Sequence, residues 1–239
     1  MKFFLGVALS CVFASMANAS LLAPNPFVPK NSFLPEAIKI FDFTAQRPYD
    51  DGSLPQVSET TKGIYELNYG AYKLWVDCAT RRTIHFEFAF KKAGEHLPQL
   101  VSDQFYREPK LPSYCQQTSA LPYGSGYTRT QLVNAKFFAA APFEKALSNT
   151  MTNIFPLSNS PGPFKGNIGG FHLMSWNEVT DYVWRERLEG NISVAGELHW
   201  DESREVLPTH GLAAPAWISI TVVRYGNNVT YAKSFIVPN

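Results

Sequence analysis

Gly126-Tyr127-Thr128-Arg129-Thr130-Gln131-Leu132-Val133-Asn134-Ala135 is the stretch that decides how this chain reads. It carries one cation, Arg129, and one amide, Gln131, between two threonines and an apolar pair. An amide donates and accepts hydrogen bonds but takes up no proton near neutral pH, so Gln131 cannot act as a general base. Gly124-Ser125-Gly126 just before it lacks the Gly-x-Ser-x-Gly spacing of a nucleophile elbow and reads as a turn. The five histidines, His85, His96, His172, His199 and His210, show no His-Glu-x-x-His spacing or other metal-ligand pattern.

Outward from this stretch, the chain before it falls into three parts. Residues 20 to 60 hold Pro24, Pro26, Pro29, Pro35, Pro48 and Pro55, which helix interiors and central strands exclude, so an extended arm is expected. From Gly63, Ile64–Tyr69 and Tyr72–Val76 alternate in part around Gly70 and read as a hairpin. Thr83–Phe90 reads as a third strand, with Ile84, Phe86, Phe88 and Phe90 on one face and His85 and Glu87 on the other. Residues 91 to 125 are punctuated by proline and glycine and read as irregular.

After the stretch, Pro142 and Phe143–Leu147 suggest the start of a short helix. Pro156, Pro161, Gly162 and Pro163 suggest a long loop. Ser175-Trp176-Asn177-Glu178 has the form of a capping box, and Trp176, Val179, Val183 and Leu188 continue as an apolar stripe. A helix is expected over about 175 to 188, ending near Gly190. Strands are expected at Ser193–Trp200, Trp217–Tyr225 and Tyr231–Val237, with a hairpin turn at Gly226-Asn227-Asn228.

Composition narrows the class. The chain has 239 residues, 45% of them hydrophobic and 17% charged, which suits one domain with a sizeable core. Lys2, the apolar run Phe3–Ala14 and Ala17-Asn18-Ala19 read as a secretory leader over residues 1 to 19. The apolar run is too short to span a bilayer, so no transmembrane segment is expected and the mature chain is expected outside the cell or in a periplasm. Removing Lys2 from the 21 basic residues leaves as many basic as acidic ones. That balance argues against a general binder held mainly by phosphate contacts. Cys11 leaves with the leader, and Cys78 and Cys115 remain as a pair expected to form a disulfide. Asn191-Ile192-Ser193 and Asn228-Val229-Thr230 are glycosylation acceptors if the source is eukaryotic.

The central stretch resembles the active-site segment of the secreted DNA/RNA non-specific endonucleases, which reads Gly-Tyr-Asp-Arg-Gly-His-Leu-x-x-Ala. The resemblance runs over roughly residues 63 to 225. It includes Leu67-Asn68-Tyr69, Phe105–Pro112, Thr152-Asn153-Ile154-Phe155-Pro156, Val194-Ala195-Gly196 and Pro215-Ala216-Trp217. It implies an α+β fold of the ββα-metal (His-Me finger) kind over residues 61 to 239, with a twisted, mainly antiparallel sheet and inserted helices. It also implies a magnesium-dependent phosphodiester hydrolase that uses a histidine base.

Carried over residue by residue, the base position is Gln131, the aspartate position is Thr128, and Arg129 is retained. The metal asparagine falls on Asn167 or on His172, according to which aromatic residue anchors the register. The family's upstream arginine becomes Val101, and both registers lose the glutamate, at Thr180 or Ser175. The loss of base, arginine and glutamate together reads as abandoned chemistry. The expected function is therefore that of a secreted nuclease-like pseudoenzyme that binds nucleic acid or a protein partner, with magnesium only where the ancestral site still holds it. Two alternatives stay open: an active nuclease with a site rearranged around His172, and a partner-binding domain with no nucleic-acid role.

Overall fold

The computed structural model describes residues 55–92, 105–117, 126–138, 147–159, 166–168, 171–207, 212–226 and 229–239. The leader, most of the proline-rich arm, His96, Val101, His210, Asn228 and the expected helix start at Phe143 lie outside these residues. The strands are β1 (Gln56–Thr61), β2 (Ile64–Asn68), β3 (Tyr72–Asp77), β4 (Arg82–Phe90), β5 (Tyr127–Gln131), β6 (Ile154–Ser158), β7 (Gly166–Ile168), β8 (Phe171–Leu173), β9 (Asn191–Leu207), β10 (Leu212–Gly226) and β11 (Val229–Pro238). One long helix, α1, spans Trp176–Glu189.

Nine strands form one sheet in the order β1-β2-β3-β4-β9-β10-β11-β8-β7, and β5 pairs with β6 in a separate two-stranded sheet. All neighbours in the large sheet are antiparallel except β11 and β8, which run parallel at Phe235↔His172 and Ile236↔Leu173. This overturns the expected α+β fold with helices inserted between blocks of strand: the described chain is mostly β-sheet with a single long helix. The cause lies in the last third of the chain. There β9 and β10 pair from Asn191↔Tyr225 to Leu207↔Leu212, with register shifts at Leu212/Ala213, Ala213/Ala214 and Pro215/Trp217, well past the stretches where apolar alternation is visible.

Two strand expectations differ from the structure at a proline. The strand expected from Trp217 begins earlier, at Leu212, and β10 passes through Pro215, where the register slips before Trp217. Pro156 argued for a loop, yet it sits inside β6, opposite Arg129, in a sheet where every strand has a free edge. The strand β1 was hidden inside the stretch assigned to the arm, and it straddles the expected boundary at residue 60.

The helix follows its sequence signals closely. The Ser175 Oγ accepts from the Glu178 N–H at 3.3 Å, and the Glu178 Oε2 accepts from the Ser175 N–H at 2.8 Å. This reciprocal cap sets the first turn. Trp176, Val179 and Val183 are buried as the stripe requires, joined by Thr180 and Tyr182. They rest on one face of the large sheet, among Phe86, Val194, Ile220 and Phe235. The opposite sheet face carries Glu87, Glu197, Trp217 and Tyr225 and is exposed. Burial pushes the Tyr182 phenol up to about 12, and the nearby Glu186 carboxylate adds to the effect.

The face under α1 is packed without slack. Phe86 stands directly across from Gly196, and a Cβ placed on Gly196 would lie 2.4 Å from the ring Cζ and 3.0 Å from the Ser219 carbonyl oxygen. No side chain larger than hydrogen fits unless the ring, itself 1% exposed, moves. Cys78 and Cys115 are bonded, with their Cα atoms 4.0 Å apart across 37 residues. The bond ties the end of β3 to the 3-10 turn Ser113–Cys115. No helix among the described residues is long and apolar enough to cross a membrane.

Two outcomes follow from this packing. Gly196→Ala should lower stability by about 1–3 kcal/mol, the range for overpacking a filled core, in urea denaturation of the purified protein. The paired Cys78→Ala/Cys115→Ala variant should lose about 3–4 kcal/mol for a closed loop of this length, and unchanged denaturation would show that the bond contributes nothing.

Candidate functional site

The residues singled out in the central stretch lie on β5, which opens at Gly126. That glycine has φ +99°, in the left-handed region that favours glycine, and its carbonyl accepts from the Asn159 N–H at 2.7 Å. The period of two then divides the strand. Thr128 and Thr130 point one way; Tyr127, Arg129 and Gln131 point the other.

Gln131 is 8% exposed and its amide is fully engaged. Its Nε2 donates to the Asn149 Oδ1 at 2.9 Å and to the Ser148 carbonyl at 3.2 Å, and its Oε1 accepts from the Ala135 N–H at 3.0 Å. Asn153, wholly buried, continues the network. Its Oδ1 accepts from the Val133 N–H at 2.9 Å, and its Nδ2 donates to the carbonyls of Val133 (2.9 Å) and Ser148 (2.8 Å). The Leu132 N–H donates to the Asn153 carbonyl at 2.9 Å. Gln131 is thus a structural pin, holding the exit of β5 to the segment before β6. Arg129 is half-buried, with its guanidinium 5.9 Å from the Phe105 ring centroid.

Thr128 faces elsewhere. With Leu157, Ser158 and Asn159 of the β6 end, Ser175, Trp176 and Asn177 of the α1 start, and Pro238 of β11, it lines a cleft of about 340 Å³. Asn239 anchors this corner. Its Nδ2 donates to the carbonyls of Pro156 (2.8 Å) and Pro215 (3.0 Å), and its Oδ1 accepts from the Ser158 N–H at 2.6 Å. The small sheet is thereby fastened to β10. The Thr128 hydroxyl donates to the Leu157 carbonyl at 3.4 Å, which leaves its oxygen free to accept.

Asn167 and His172, the alternative metal positions, are direct cross-strand partners on β7 and β8. Neither lies on α1, and the His172 ring packs 6.0 Å from that of Phe235. His85 and Glu87 are joined at 3.2 Å on the exposed sheet face. Among the described residues no group of three or more His, Cys, Asp or Glu side chains could hold a metal ion. The donor set does not fit magnesium at the central stretch either. Gln131 is spent on structural bonds, and the described residues that line the cleft bring no carboxylate, which a hard cation prefers. Asn191 opens β9 between two paired strands, and its Oδ1 accepts from the Lys92 N–H at 2.8 Å.

Sequence reasoning reached Thr128, Ser175 and Trp176 and expected the Thr128–Gln131 segment to face the helix that opens near Ser175, as Thr128 does, but it missed Asn153 and Asn239 as the residues that place the cleft. Comparison with known protein families found no matching family model, and comparison with curated proteins found no match.

Gln131→Ala removes the acceptor for one buried N–H and the donor to Asn149. It should cost about 1–3 kcal/mol in urea denaturation, the penalty for leaving buried polar groups unsatisfied. Full stability in that variant would show that the amide is not a pin.

Proposed function

We propose that this chain is an exported binding protein that takes its ligand in the cleft between β5–β6 and the start of α1, and that it does not hydrolyse phosphodiesters. The observation that carries this reading is the double engagement of the Gln131 amide. At the position where a hydrolase of the resembled kind needs a base, this chain has a group that takes no proton and is already committed at both ends. General-base catalysis is worth about 10²–10⁴ in rate, and its loss alone would leave little activity.

Three further observations support binding without that chemistry. Thr128 and Gln131 point to opposite faces of β5, so the old motif residues do not converge on one reacting atom. The described residues that line the cleft bring hydroxyl, amide and apolar groups and no charged side chain. The mature chain, without Lys2, has no basic excess to hold a polyanion. Export rests on the leader-like residues 1–19 and on the Cys78–Cys115 pair.

The test is incubation of the purified protein with plasmid DNA and with RNA, in magnesium, manganese and chelator arms, followed by gel analysis and an electrophoretic shift in the chelator arm. Cleavage should stay at background in all arms, for the unmodified protein and for Gln131→His. Magnesium-dependent cleavage abolished by His172→Ala would overturn this reading and establish a rearranged catalytic site.

A further inference from the structure

The face of the large sheet turned away from α1 carries four rings in one stripe. Trp75 and His85 are cross-strand partners on β3 and β4, with ring centroids 4.7 Å apart. His199 and Trp217 are partners on β9 and β10, stacked at 4.8 Å with 20° between their planes. His85 is paired with Glu197, two residues from His199, so the two ring pairs are diagonal neighbours, about 7–8 Å apart by strand geometry. Each pair stands beside a bulge: the β3–β4 register shifts after Trp75, and the β9–β10 register shifts before Trp217. Bulges re-aim side chains and are over-represented beside functional sites. Trp217 remains 43% exposed although the His199 ring is stacked on its indole.

The rings stand among carboxylates. Glu66 lies opposite Trp75, Glu197 lies opposite His85, and the Glu87 Oε1 is 3.2 Å from the His85 Nε2. Lys73, the cation beside them, is bound by Glu66 at 2.8 Å. Glu197 is exposed, and its two cross-strand neighbours are turned elsewhere. His85 is joined to Glu87, and the Ser219 hydroxyl is joined to the His199 Nε2 at 3.3 Å. Glu197 has no hydrogen bond or ion pair among the described residues. A carboxylate diagonal to an exposed indole, with no cation of its own, makes that end of the stripe complementary to positive charge.

We infer that this stripe is a docking surface for an extended basic segment of a partner protein, one that presents arginine. A guanidinium stacks on an indole through its planar face and gives two parallel N–H donors to a carboxylate, so one arginine answers both Trp217 and Glu197. The same kind of contact exists within the chain at the other end of the stripe. There the Lys73 Nζ lies 5.9 Å over the Trp75 ring while it is held by Glu66. At the Trp217 end no cation among the described residues takes the equivalent place. A neutral glycan stacks on such rings too, but it leaves the Glu197 charge unanswered, and a nucleic acid is repelled by the carboxylates. The stripe crosses four strands, about 14 Å of nearly flat sheet, which suits an extended segment rather than a compact ligand. The surface lies on the side of the sheet away from α1 and does not depend on the cleft.

The test is fluorescence anisotropy of a short fluorescein-labelled peptide of alternating arginine and serine, titrated with the purified protein. The same peptide with citrulline in place of arginine keeps the shape and removes the charge. The arginine peptide should bind to saturation and the citrulline peptide should not. Trp217→Ala and Glu197→Gln should each weaken binding about fivefold or more, the scale of a cation–π contact or of a hydrogen bond between charged groups. Glu197→Gln keeps the side-chain shape, so it decides the matter if Trp217→Ala does not fold. Glu189→Gln removes an equal charge from the exposed end of α1, on the other side of the sheet, and should leave binding unchanged. Equal losses in Glu189→Gln and Glu197→Gln would mean diffuse attraction between charges and would overturn the inference. So would equal binding of the citrulline peptide, no binding of the arginine peptide, or binding of cellohexaose at Trp217 with the arginine peptide inert, the last of which would make the face a glycan platform.

Discussion

A buried amide network holds the exit of β5 to the segment before β6, and the cleft depends on it. Gln131 and Asn153 meet on the Ser148 carbonyl, and between them they engage the backbone at Val133 and Ala135. These bonds fix the course of the chain between β5 and β6, a connection too long to be set by turn chemistry alone. In a dry interior each such bond has no water to replace it, so the geometry is held strongly. With that course fixed, β6 lies beside β10 and Asn239 closes the corner. Only then does the Thr128 face of β5 look at the start of α1.

The same network explains why an amide suits position 131. A histidine there would bring two ring nitrogens at a fixed angle, whereas Gln131 supplies two donors and an acceptor on a flexible stem. The position serves the fold, and the cost of replacing it is structural. The cleft on the other face of β5 is left with hydroxyls, amides and backbone donors. Among the described residues that line it, none is a histidine or a carboxylate that could move a proton near neutral pH.

Much of the fold was legible because local physics and tertiary context agree there. The capping box at Ser175 and the stripe Trp176, Val179, Val183 led directly to α1, and the alternation in Tyr72–Val76 and Thr83–Phe90 led to β3 and β4. The parity of Cys78 and Cys115 led to the bond now seen between them. Legibility failed where a residue breaks a local rule that tertiary structure excuses. Pro215 sits at a register slip and Pro156 in a two-stranded sheet, so neither ends its strand. The overall class failed with them, because the length of β9 and β10 comes from each strand pairing with the other and not from alternation within either.

The sequence by itself determined the local elements whose signals span a few residues: the capped helix, the central strands, the disulfide pair, and the absence of a base at position 131. Each follows from side-chain chemistry within one turn or one strand. Tertiary structure alone decided that Arg129 and Gln131 face inward while Thr128 faces the cleft, and that Asn153 and Asn239 are the residues that place it. It also decided that the Trp176 N–H is left without an acceptor. These depend on groups brought together from positions 81 or more residues apart in some cases, as Ser158 and Asn239 are. Contacts of that range are set by how the sheets pack, which no local pattern along the chain encodes.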